Sequence, residues 1–147
     1  MMDSKLSESR SRTFGHPLLL LLVFFPIACF WGALATDIAY GATADMMWAD
    51  VSAWLLAVGI IVGIIAALVG LLNLFGHRRP RGPVLPVAIC CLLVLVLAFF
   101  DNLIHSRDAW TSVVPLGLAL SAANVVVILI TLWLGSAAVS PRADARV

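Results

Sequence analysis

Charged residues are distributed along this chain in a way that leaves four long gaps. Pro17 to Thr36, Ser52 to Phe75, Val84 to Phe100 and Thr111 to Gly135 contain no Asp, Glu, Lys or Arg, and every charged side chain falls outside them. Each gap is close to the ~20 residues that a helix needs to cross a ~30 Å hydrocarbon layer. The pattern therefore predicts an all-α, integral membrane four-helix bundle with spans at about 17–36, 52–75, 84–104 and 111–135. A tail over 1–16 precedes the four-span domain of 17–136, and a second tail follows over 137–147.

Composition sharpens this picture. Of the 147 residues, 63% are hydrophobic and 12% charged, and the mean hydropathy is +1.08, which no soluble fold of this size can hide from water. The formal net charge of +1 is too small for a nucleic-acid partner. The basic stretch Lys5, Arg10 and Arg12, with the apolar run and Ala33-Leu34-Ala35 behind it, has the outline of a cleavable signal. Its apolar run exceeds the ~7 to 15 residues usual for one, so it reads as a retained first span. Cys29, Cys90 and Cys91 all fall inside spans and form no metal spacing.

Orientation follows from the basic residues, because Lys and Arg are retained on the cytoplasmic side in short loops. Lys5, Arg10, Arg12, Arg78, Arg79, Arg81, Arg142 and Arg146 lie on one side of the four spans, and Arg107 alone on the other. The opposite side collects Asp37, Asp45, Asp50, Asp101 and Asp108. Both termini and the tight His77–Pro83 turn are thus expected in the cytoplasm of a bacterial cell. Loops over Asp37–Val51 and Asp101–Trp110 are expected outside its inner membrane. Trp31, Tyr40, Trp48, Trp54 and Trp110 cluster toward the outer boundary, where amphipathic rings prefer to sit.

Gly59, Gly63 and Ala67 repeat at four-residue spacing in the second span, with Ala66 and Gly70 on a neighbouring stripe. Such a flat side lets backbones approach closely in lipid, within the bundle or against a second copy. In the fourth span Gly117 and Ser121 share that spacing, and Asn124 lies near mid-bilayer, where an amide needs a partner. The most chemically suggestive residues are Asp37, Asp101 and His105, at similar height near the outer rim. Asp101 and His105 share a helix face if the third span continues that far. Two carboxylates and an imidazole suit a divalent metal, a quinone head group or a proton relay; solvated helix ends and caps are the plainer reading. No cofactor is expected. In particular a bis-histidine haem does not fit, because His16 and His77 lie on the cytoplasmic side and His105 across the membrane from both.

Gly15-His16-Pro17, Phe25-Pro26, Asp37, Trp48-Ala49 and the run from Trp54 to Ile61 and on to Gly70 resemble the bacterial family catalogued as domain of unknown function 2231. The Leu132-Trp133-Leu134-Gly135 end of the fourth span is similar as well. The resemblance implies a four-helix membrane protein with His16, Pro17, Pro26, Asp37 and Trp48 as its motif residues. Some members accompany periplasmic dehydrogenase-like or cytochrome proteins, which implies an anchoring or electron-transfer context. The family's second His-Pro, its Asp late in span two and its His early in span three are replaced here by Leu19-Leu20, Asn73 and the Ala88–Cys90 region. Any redox or ligand work done by those histidines is then missing from this chain.

With no nucleophile beside a base and no phosphate loop, the leading expectation is a non-catalytic accessory or anchor subunit in the bilayer. It would serve a periplasmic redox or membrane partner, or a second copy of itself. The alternatives are a redox or quinone-binding component using the rim residues, and a small transporter.

Overall fold

The computed structural model describes residues 2–76, 84–106 and 113–139, with side chains over 18, 20–73, 84–106 and 113–136. The turn expected at 77–83, residues 107–112 with Trp110, the end of the chain from 140, and the side chains of His16 and Pro17 lie outside the described residues. Four helices make up the described chain: α1 (Met2–Thr43), α2 (Met46–Gly76), α3 (Val84–His105) and α4 (Leu118–Val139), the last entered through a short wide turn, Val113–Gly117. Four segments are long and apolar enough to cross a membrane: Leu20–Thr43, Met46–Asn73, Val84–His105 and Val113–Ser136. The fold is an all-α four-helix membrane bundle. Each helix packs on its two neighbours in a ring, α1 on α2 and α4, and α3 on α2 and α4.

The segment read from sequence as an outer loop, Asp37–Val51, is instead almost wholly helical. α1 runs six residues past Asp37, and only Ala44 and Asp45 separate it from α2. The reason is local and chemical. The Thr43 hydroxyl bonds back to the Ala39 carbonyl at 2.8 Å, and Ala44 turns into the left-handed region (φ 55°) while its N–H closes on the Tyr40 carbonyl at 2.8 Å. Asp45 then caps α2, its Oδ1 accepting from the Met47 N–H at 3.0 Å. Likewise α3 continues to His105, so this imidazole belongs to a span and not to a loop.

Interior positions follow helical spacing: Cys29, Phe30, Ala33, Thr36, Asp37 and Tyr40 on α1, Val94, Ala98 and Asp101 on α3, and Ser121, Asn124, Val125 and Ile128 on α4. Phe30, Ala33, Leu56, Val94, Ala98 and Ile128 form one apolar layer. Tyr40, Ala49 and Val113, with Met46 and Trp48 against them, form a second toward the α1–α2 connection. Outward-facing Leu72, Leu85, Trp54 and Trp133 are bare, as a lipid-solvated exterior requires.

On α2 the glycines are not equivalent. A methyl group at Gly59 would lie 2.8 Å from a Phe30 ring carbon and 3.1 Å from Cys29 Cβ; at Gly63 it would meet the Leu95 side chain at 2.8 Å; at Gly70 it would meet nothing within 4 Å among the described residues. Gly59 and Gly63 face the bundle interior, whereas Ala67 and Gly70 are exposed. Close approach of α1 to α2 thus depends on Gly59, whose neighbours include Cys29 Cβ, an atom that no side-chain rotation can move. Gly59→Ala should destabilise the detergent-solubilised protein by about 1 to 3 kcal/mol through overpacking. Gly70→Ala should be neutral or stabilising by up to about 1 kcal/mol, both read as shifts in thermal unfolding.

Candidate functional site

Between the two apolar layers lies a polar one, supplied by three helices. Asp37 on α1 and Asp101 on α3 are each 0% exposed, Ser121 on α4 is 2% exposed, and His105 fills the remaining side with no side-chain exposure. Asp37 lies six residues before the end of α1 and Asp101 four before the end of α3. At 1.5 Å per residue this is roughly 6 to 9 Å below the helix ends. The three residues singled out from the sequence are thus brought together, one or two turns inside the bundle and not at solvated ends.

Their contacts form a closed set. The His105 Nδ1 sits 2.9 Å from the Asp101 main-chain carbonyl, which can only accept, so Nδ1 carries a hydrogen. This leaves Nε2 facing Asp37 Oδ1 at 2.9 Å. The Ser121 hydroxyl donates to Asp101 Oδ2 at 2.6 Å and also touches Asp37 Oδ2 within hydrogen-bond range. Ser121 has a single hydroxyl hydrogen for two carboxylate oxygens. The second contact is attractive only if a proton or another positive charge accompanies the pair. Asp101 Oδ1 lies 3.4 Å from His105 Nδ1 but receives no hydrogen bond from the described residues, and neither does the buried Asn124 Oδ1 one turn deeper on α4.

Two small residues make room for this arrangement. A methyl at Gly117 would stand 3.1 Å from His105 Cε1 and 3.5 Å from Asp101 Oδ1, so glycine there lets the imidazole lie against α4. On α2, Ser52 is fully buried beside the layer, its hydroxyl reaching the Ala33 carbonyl at 3.4 Å. Thr36 returns its hydroxyl to its own helix at Ala33 and Gly32. Ser121 was visible in the sequence only as a small residue spaced four from Gly117. The signal for its role is phase, because Ser121 shares the inward stripe of α4 with Asn124 and Ile128.

Chemically the group can hold a cation. One donor atom each from Asp37, Asp101 and His105 lie within 4.8 Å of one another. Two carboxylates with one imidazole form a mixed oxygen and nitrogen set, suited to borderline divalent ions. Of the motif residues named from sequence, Asp37 is in the site, Pro26 packs near Gly63 on the other side of the apolar layer, and Trp48 lies in the layer above.

Comparison with known proteins agrees with the architecture. The family model described as predicted membrane protein (DUF2231) matches residues 15–142. No curated protein and no solved structure matches the chain.

Because the Ser121 hydroxyl serves two buried carboxylates, Ser121→Ala should cost about 2 to 3 kcal/mol, the range for charged acceptors left without a donor. Asp37→Asn should cost less or stabilise, since the amide removes a buried charge and supplies hydrogens of its own. Thermal unfolding of both variants in one mild detergent tests the contrast.

Proposed function

The chain belongs to the DUF2231 family of predicted membrane proteins, and on that footing we propose that it is a membrane component working through a cation site buried between α1, α3 and α4. The observation that carries this reading is the pair of fully buried carboxylates, Asp37 and Asp101, sharing one hydroxyl and one imidazole. A purely anchoring subunit has no need of it. Small-residue packing already joins α1 to α2, and each buried ion costs several kcal/mol of desolvation before any partner compensates. Ionisable groups inside a span are expensive, and function is the usual reason for keeping them.

A quinone head group is favoured less. The polar layer is closed above by Tyr40, Ala49 and Val113, and the open groove of about 470 Å³ lined by Leu18, Leu21, Leu22, Phe25, Val62 and Val69 is wholly apolar. That groove lies against α1 residues at least twelve positions before Asp37, some 18 Å along the helix.

Placed by the bias of its basic residues, the protein sits in a bacterial inner membrane with both termini cytoplasmic, so that the cation site lies in the periplasmic half of the bundle. That side would also receive any redox partner, and the exposed Ala67–Gly70 stretch of α2 is where a second copy would pack.

Two measurements test these statements. A hydrophobic carbodiimide, which attacks protonated carboxyl groups within bilayers, should modify Asp37 or Asp101 in membranes first washed with a chelator in buffer free of added metal salts. Adding Na⁺, K⁺, Ca²⁺, Mn²⁺ or Zn²⁺ one at a time should suppress the adduct with at least one ion. No adduct, or an adduct indifferent to all five, overturns the cation site. For orientation, Ala44→Cys in a background lacking the native cysteines should react with an impermeant maleimide added to intact cells, and Arg79→Cys only after lysis. The reverse pattern would turn the site toward the cytoplasm.

A further inference from the structure

Resting on the reading of this layer as a cation site, we propose that its ligand is one divalent transition-metal ion, of the Mn²⁺, Fe²⁺ or Zn²⁺ kind, held by Asp37, Asp101 and His105. The donor atoms already converge within 4.8 Å. A separate observation points to a missing partner: Asp101 Oδ1 is fully buried, lies beside the imidazole, and receives no hydrogen bond from the described residues. A buried carboxylate oxygen without a donor is costly, and coordination to a cation removes that cost.

The charge of the ion follows from its surroundings. The 2.9 Å contact between Nε2 and Asp37 Oδ1 is made through a hydrogen that a bound metal ion replaces; the Asp101 carbonyl keeps the hydrogen on Nδ1, so Nε2 then presents its lone pair to the ion, the usual form of a metal-bound histidine. With a neutral imidazole, two carboxylates carry two negative charges. A divalent cation brings the site to neutrality, whereas a monovalent one leaves a net negative charge in a low-dielectric layer.

The kind of divalent ion follows from the number and type of donors. Ca²⁺ takes six to eight oxygens and Mg²⁺ demands near-octahedral geometry while keeping several waters. The layer offers two carboxylates, one hydroxyl and one imidazole nitrogen between two apolar layers. Bonds of ~2.0 to 2.2 Å to nitrogen and carboxylate oxygen in a site of low coordination number belong to the transition metals. The carbonyl that orients His105 supplies the outer contact typical of such sites, and Ser121 does so for both carboxylates.

The test uses the full-length protein in mild detergent, stripped with a chelator and then dialysed against Zn²⁺, Mn²⁺ or Co²⁺, with bound metal counted by mass spectrometry. One ion per chain is expected. His105→Ala and Asp101→Ala should each weaken binding at least about 100-fold, beyond the 10- to 100-fold typical of losing an outer-shell contact. Asp50→Asn, an exposed carboxylate, should leave binding unchanged. Because the alanine variants remove buried polar groups, the Co²⁺ spectrum of the unmutated protein is read as well: intense visible ligand-field bands that Zn²⁺ abolishes are expected for a low-coordinate site. Absence of saturable binding, binding that survives both alanine variants, or a weak octahedral Co²⁺ spectrum overturns the proposal. Carbodiimide protection by Na⁺, K⁺ or Ca²⁺ with no transition-metal binding would remove this inference and leave the cation site standing. Loss of both would remove both.

Discussion

Two carboxylates taken out of water must be brought together with whatever makes their burial tolerable, and in this bundle that is one imidazole and one hydroxyl. His105 reaches Asp37 from α3, and Ser121 reaches Asp37 and Asp101 from α4. In lipid an apolar helix face gains little by turning inward, because hydrocarbon tails are as apolar as Leu. The polar layer supplies what the apolar faces lack, a reason for one rotation and one register over others. α1, α3 and α4 are locked by it, and α2 joins through close contact at Gly59 and Gly63 and the Ser52 hydroxyl.

The same arrangement governs the electrostatics. Apolar layers lie on both sides of the cluster, Phe30, Ala33, Leu56, Val94, Ala98 and Ile128 below and Tyr40, Ala49 and Val113 above. Such insulation raises the strength of every charge interaction inside and also the penalty for any charge left unmatched. Packing and chemistry are therefore coupled at single residues. At Gly117, where the chain enters α4, an added methyl would stand against both the His105 ring and Asp101 Oδ1. A change there moves a helix contact and a candidate ligand together.

Membership of the DUF2231 family covers most of the chain, yet the residues that close the polar layer are spread over both halves. Asp37 comes from the half in which the family resemblance was evident in the residues themselves. Asp101, His105 and Ser121 come from the second half, where the resembling residues are Leu132 to Gly135. The site is thus assembled across the bundle and not carried by one contiguous motif.

Four charge-free stretches of near-spanning length sufficed to read the class of fold and the number of spans, since hydrocarbon thickness and helix rise act on local sequence alone. The first was read too short at its end near Asp37, whereas the third, read to residue 104, ends at His105. A charge inside a helix looks like a helix end until its partner is known, and the partners here are 68 and 84 residues from Asp37 in the chain. Asp101 and His105 could be paired from their spacing of four, and Asp37 was placed at a similar height. Ser121 and the opening at Gly117 were not attached to them, because rotation about each helix axis is decided by contacts between helices. The amino-acid sequence by itself determined that the chain enters a bilayer as four helices; only tertiary packing decided that two aspartates, a histidine and a serine would meet in a layer sealed from water.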